Sequence, residues 1–167
     1  SLYEKLKIKS TGTVKSLMFF HIPPIEEKTA WDEFAANGYK DTENVKLIYG
    51  FAGGAGKMVY CGLHEDELFE TVKELGSTQG IFFGHDHRNN MCFDYKGVRL
   101  TYGMSIDYLA IPGISKIGRQ RGCTIINVFS DGTYESYNEN YYQDKYVSAY
   151  EKDTAEMQEI TYPYNGE

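Results

Sequence analysis

Four histidines are the groups of this chain best suited to chemistry, and three of them stand where an apolar run stops. His85 and His87 follow Ile81-Phe82-Phe83-Gly84 in the stretch IFFGHDHRNN, with one residue between them. The run is bounded by glycines and rich in β-branched and aromatic side chains, which reads as a short buried strand ending in a sharp turn. The carboxyl end of such a strand is where open α/β sheets place their ligands. Neutral imidazole is the commonest metal-binding side chain, and a strand end fixes two of them with little residual freedom. The plainer alternative is a pair of surface loop histidines. His21 ends a second apolar run, SLMFFHI, and Pro23-Pro24 after it bar continuation as helix or central strand. A single histidine there is more often a packed core residue than a ligand. A second strand end carrying one is harder to dismiss.

Three neutral imidazoles at neighbouring strand ends make part of a site for zinc, iron, manganese or a related ion. They do not complete a hydrolytic centre, because two-metal phosphoester hydrolysis uses ions about 3.5–4 Å apart, bridged by a carboxylate. Asp86 lies between the histidines and is expected to point away from an ion held by both. Nothing in the sequence fixes the orientation of Asp107. His64 precedes a predicted helix, either as a solvated neighbour of its cap, the more ordinary role, or as a substrate contact. The stretch GFAGGAGK invites a phosphate-loop reading and fails on spacing. The position five before Gly56 is Phe51, and Met58 stands where a magnesium-binding Ser or Thr is required. A flexible surface loop, or one lining a site entrance, fits it better.

The elements that must position these histidines follow from periodicity. Strands are expected at Ser16–Ile22, Val45–Tyr49 and Ile81–Phe83. Met91–Tyr95 and Val98–Tyr102 form a hairpin over Lys96-Gly97, and Cys123–Phe129 turns at Asp131-Gly132 into Thr133–Tyr137. Thr29–Asn37 reads as a helix capped by Gly38. Asp66–Leu75 is the clearest helix, with an apolar stripe of Leu68, Phe69, Val72 and Leu75, acids in its first turn and Gly76 at its end. Gly103–Arg121 is loop-like. Eight of the fifteen tyrosines fall from Tyr134 onward, so about 134–167 reads as a peripheral tail. Val147, Tyr150, Thr154 and Met157 within it have helix-compatible spacing.

At 167 residues the chain suits one domain able to bury a core. A net charge of −7, a pI near 5.1 and no basic cluster argue against nucleic-acid binding by phosphate neutralisation. No membrane span and no signal peptide are evident, and the compartment stays open. Cys61, Cys92 and Cys123 are odd in number and hold no CxxC pair, so free thiols are expected. Ser1 opens the chain, and Leu2–Leu6 reads like the end of a helix already under way, pointing to a natural start upstream.

Taken together, FFHIPP with its histidine, a helix before the next strand, FFGHDHRN, KGVRLTYG and RGCTIINV resemble the C-terminal half of a calcineurin-like metallophosphoesterase. The likeness covers residues 14–30 and 76–129, and is greatest to the branch of small purple acid phosphatases. It implies an α/β fold: half of a four-layer α/β/β/α sandwich, a mixed sheet with C-terminal antiparallel strands, present as a single partial domain over 1–167. By the resemblance His21 and His85 would bind one metal of a pair and His87 the other. Asn89 becomes a candidate for a substrate or structural contact. The metals would be a divalent or trivalent pair of Fe, Zn or Mn in the intact protein, and the substrate a phosphoester. Ile106-Asp107 departs from the small residues of the family's segment at Gly103–Tyr108.

The family's D-x-H, GD-x-x-D and GNH elements, which supply the remaining ligands and the catalytic groups, do not occur in this chain. The catalytic residues are therefore expected upstream, with at most one weakly held ion here. The unpaired sheet edge would meet the missing N-terminal half or a second copy of the chain. Whether the chain is an enzyme is open. The alternative is a catalytically inactive metal-binding or interaction module of the same fold. Amidohydrolases of the TIM-barrel type also use HxH, but on the first strand of a barrel for which this chain is too short.

Overall fold

Pro23 and Pro24 stop one element and start the next. Pro24 takes the N-cap position of a helix with φ −69° and ψ 160°, which carries the first helix to Ile25 rather than Thr29. In the computed structural model residues 13–52, 59–64, 66–106 and 122–140 are described. Their elements run β1 (Ser16–Phe20), α1 (Ile25–Ala36), β2 (Val45–Tyr49), α2 (Leu68–Leu75) and β3 (Thr78–Phe83). The hairpin β4 (Cys92–Tyr95) and β5 (Val98–Tyr102) follows, then β6 (Gly122–Val128) and β7 (Tyr134–Asn140).

Five strands form a mixed sheet in the order β1-β3-β5-β4-β2, and β6 and β7 form a separate antiparallel ribbon. β1, β3 and β5 run parallel, with Phe20 level with Phe83 and Phe83 level with Tyr102. β4 is antiparallel to both β5 and β2. The fold is thus α/β with a mixed sheet plus a small antiparallel sheet.

Alternation along the strands assigns the two faces. Ile81 and Phe83 join Phe93, Tyr95, Val98 and Leu100 in the core with Trp31 and Phe34 of α1 and Phe69 and Val72 of α2. Phe34 meets Phe93 with ring centroids 5.3 Å apart, and Phe69 meets Tyr95 at 5.4 Å. On the other face Phe82 packs against Tyr134 of the ribbon at 5.7 Å. A side chain at Gly80 would lie 2.2 Å from the Tyr134 hydroxyl, so glycine belongs inside β3 and the strand starts at Thr78, before the apolar run. The Tyr49 hydroxyl donates to Ser136 Oγ at 2.8 Å, tying β2 to the ribbon.

Both helices end in left-handed glycines. Gly38 donates to the Ala35 carbonyl and Tyr39 to that of Phe34, with the Phe34 and Tyr39 rings in contact at 6.1 Å. That is the double bond and apolar clasp of a Schellman ending. Gly76, at φ 62°, closes α2 by donating to Val72. Asp66 Oδ1 accepts from Leu68 N–H at 2.8 Å, so the first ordered turn begins two residues beyond the expected Asp66. No helix among the described residues is long and apolar enough to cross a membrane. The three cysteines are free thiols. Residues 134–140, the start of the expected tail, pair as β7. The remainder of the tail, with Val147 to Met157, lies outside the described residues, as do Asp107 and residues 53–58 of the glycine-rich stretch.

Candidate functional site

The parallel pair β1 and β3 ends at one level, and the chain keeps that register one residue further. Gly84 N–H donates to the His21 carbonyl at 3.1 Å, which places His21 beside the start of the GHDH turn. The His21 imidazole lies over Gly84, whose Cβ position is 3.6 Å from His21 Nδ1, an ordinary contact distance. The next residue breaks the strand sharply. His85 has φ 72°, and Asp86 N–H donates back to the Gly84 carbonyl at 2.9 Å. An i→i+2 bond across a residue at positive φ is the rarer form of γ-turn, strained for any side chain. Its effect is to throw the His85 ring out of the sheet line, where it stands edge-on to His21 with centroids 5.4 Å apart. Both rings are exposed.

His87 is half-buried and lies elsewhere in the turn, with Nδ1 3.5 Å from Ser105 Oγ beyond β5. The structure therefore gathers His21 with His85 and stations His87 against Ser105. Among the described residues no group of three or more His, Cys, Asp and Glu side chains converges. Two adjacent imidazoles are sound donors for one divalent ion. Among the described residues no carboxylate joins them to bridge a second.

Asp86 explains that lack. It is buried, with one carboxylate oxygen accepting from Arg88 N–H at 3.0 Å and the other from the Asn89 amide at 2.6 Å. Burial raises its pKa, opposed by backbone hydrogen bonds from Arg88 and Tyr60 and by the charges of His85 and Arg88. Asp86 is turned inward and organises the loop. Asn89 is fully buried, and its amide donates to the Asp86 carboxylate. His64 is exposed and borders a cavity of about 220 Å³ with Phe20, Ile22 and Pro23, on the loop before α2.

Residues that sequence reasoning passed over fasten this turn. Asn90 exchanges two bonds with Phe51, its N–H donating to the Phe51 carbonyl at 3.1 Å and its Oδ1 accepting from Phe51 N–H at 2.8 Å. Its own carbonyl accepts from Asn138 of β7 at 2.9 Å. Ala52 and Asn89 form a backbone bridge. The buried Tyr102 hydroxyl donates to the Tyr60 carbonyl at 2.7 Å, and burial pushes that phenol far above its ordinary pKa. Both flanks of the glycine-rich stretch are tied to the histidine turn, Phe51 through Asn90 and Tyr60 through its backbone bond to Asp86. The only signal in the sequence was the second asparagine of HRNN; Asn138 gave none.

Comparison with known proteins bears on part of this chain. It is 30% identical over 95 residues to "Probable inactive purple acid phosphatase 28" of Arabidopsis thaliana, a match covering 57% of this chain and 20% of that protein. It is 28% identical over 119 residues to "Probable inactive purple acid phosphatase 29" of the same plant, covering 70% of this chain and 25% of the relative. The chain spans between a fifth and a quarter of the length of these relatives. No family model and no solved structure matches it.

Proposed function

We propose that this chain is the histidine-bearing part of a metallophosphoesterase catalytic domain, half of a four-layer α/β/β/α sandwich. His21 and His85 are ligands of one ion of an Fe, Zn or Mn pair, and His87 is a ligand of the other. The observation that carries this reading is the ring-to-ring approach of His21 and His85 at the level ends of two parallel strands. The names of the similar plant proteins support the family, and the layering of helices, sheet and ribbon suits the sandwich.

In this reading the chain's residues divide the work. His21 and His85 present their imidazoles to solvent, from a register set by β1 and β3 and a turn set by Asp86. Asn89 and Asn90 keep that turn from moving, and Ser105 orients His87. The bound ions would supply an activated water and offset charge on the phosphoryl group of a phosphoester substrate. The general acid and the bridging carboxylate would come from the rest of the protein.

One observation favours a second reading, a catalytically inactive metal-binding or interaction module. The described residues bring no carboxylate to the histidine pair, and both similar plant proteins are named as inactive. The test is metal content and phosphomonoester hydrolysis of the full-length protein carrying His21→Ala, His85→Ala or His87→Ala. Loss of a residue that only supports a ligand weakens metal binding about 10–100-fold, so loss of a ligand should cost at least as much. Metal retained at full occupancy in all three variants would sink the site assignment. Metal bound without hydrolysis in the unaltered protein would select the inactive reading. The 167-residue chain by itself should bind one ion weakly and turn over negligibly.

A further inference from the structure

The core-facing stripe of α1 is interrupted by a carboxyl. Glu27, Ala30, Trp31 and Phe34 are its buried residues, at the i, i+3, i+4, i+7 spacing of a face turned to the core. The first of these positions, where packing calls for an apolar side chain, holds Glu27 at 0% exposure. Among the described residues neither of its carboxyl oxygens has a hydrogen-bond partner. Among the described residues, titratable groups that feel it from neighbouring elements are Tyr102 of β5, Cys92 of β4 and Cys61 of the loop before α2. All are acids, and none brings a positive charge. On α1 itself, Lys28 is half-exposed and pairs with Asp32. An ionised carboxylate in such surroundings has lost its water and gained no partner.

The position gives that unpaired acid leverage. Glu27 lies in the first turn of α1, and its N–H donates to the Pro24 carbonyl at 3.1 Å. Pro23, one residue before, accepts from Gly62 N–H at 2.8 Å, and His21 stands two residues further back. We propose that Glu27 sits in the fold as an uncharged acid and works as a pH-operated latch. It holds the start of α1 and the His21–Pro24 segment on the sheet while protonated and loosens them when it ionises. Burial, which raises the Glu27 pKa well above the usual carboxylate range, supports this assignment. The device needs no metal and does not depend on the phosphoesterase reading.

The direction of the effect follows from proton counting. Above about pH 4.3 an unfolded glutamate has lost its proton while the folded one keeps it. Glu27 therefore contributes its full stability below that value and loses it as pH rises through the raised folded value. Thermal unfolding of the 167-residue chain and of Glu27→Gln, from about pH 4 to 9, tests the idea. The amide copies the protonated acid, so the variant should match the parent near pH 4 and melt about 2–4 °C or more above it at pH 8. The Glu27 carboxyl carbon, followed by NMR, should titrate above the ordinary range, with the Ile22 and Ile25 amide signals moving at the same midpoint. Parallel pH profiles, a lower melting point for Glu27→Gln at pH 8, or Ile22 and Ile25 signals that stay fixed would each overturn the proposal. If the variant does not fold, the carboxyl titration of the unaltered chain decides alone, and an ordinary midpoint rejects the latch.

Discussion

The face of the sheet under the helices and the turn that carries the histidines are held by different forces. Under α1 and α2 the contacts are almost wholly apolar, with Trp31, Phe34 and Phe69 laid on Phe93 and Tyr95. Around His85 the contacts are hydrogen bonds, from Asp86, Asn89, Asn90 and Asn138 to backbone and amide groups. A buried aromatic is worth several kcal/mol, whereas a hydrogen bond contributes only about 0.5–1.5 kcal/mol net. The first region therefore supplies the stability, and the second spends part of it on a strained residue, His85, held exposed at the end of β3.

Three substitutions probe that division, in falling order of effect. Phe34→Ala removes the centre of the aromatic cluster and should destabilise the chain by about 3–5 kcal/mol, read by urea unfolding. If it cost less than about 1 kcal/mol, the helices would not be the source of stability. Gly50→Ala strikes the other region. Gly50 has φ 85°, and a Cβ there would lie 2.2 Å from the Asn90 carbonyl oxygen, which is backbone and cannot step aside. A cost of about 1–3 kcal/mol is expected, with amide exchange rising in Phe51 and Asn90 before Phe93. Uniform loss of protection across the chain would erase the distinction between the regions. The smallest effect isolates the strain itself. His85→Gly should be more stable than His85→Ala by about 1 kcal/mol, because only glycine accepts positive φ freely. Equal stabilities would remove the strain from the account.

The two regions were also unequally legible. The helical core could be read from the sequence because its signals are local: Phe69 and Val72 on one stripe, Gly38 and Gly76 as stops, Lys96-Gly97 between alternating strands. Where local signals were ambiguous, the boundaries moved. Pro23-Pro24 read as the end of β1 but not as the start of α1. Gly80 hid the first half of β3 because the reason for it, Tyr134, lies 54 residues away. The histidines could be named from motif and strand ends, but the grouping of His21 with His85 apart from His87 came only from the resemblance to a family and from no local pattern. That His21 meets His85 while His87 stands by Ser105 depends on the γ-turn at His85, and no residue type announces that turn. The bonds fastening it, Phe51 to Asn90 and Asn138 to Asn90, span 39 and 48 residues and leave no mark in any local pattern.

The parallel pairing of β1 with β3 has a further consequence, for the order in which the chain can assemble. Thr101 and Cys92, facing one another in the hairpin, are 9 residues apart, whereas Ser16 and Thr78, which join β1 to β3, are 62 apart. Closing the longer loop costs about 1.7 kcal/mol more in chain entropy, and contacts of that range form late. Partly folded chains that have the hairpin but have not captured β1 carry His85 without its neighbour. The histidine pair is thus a property of the completed fold alone, and an ion that needs both rings distinguishes the finished molecule from its precursors.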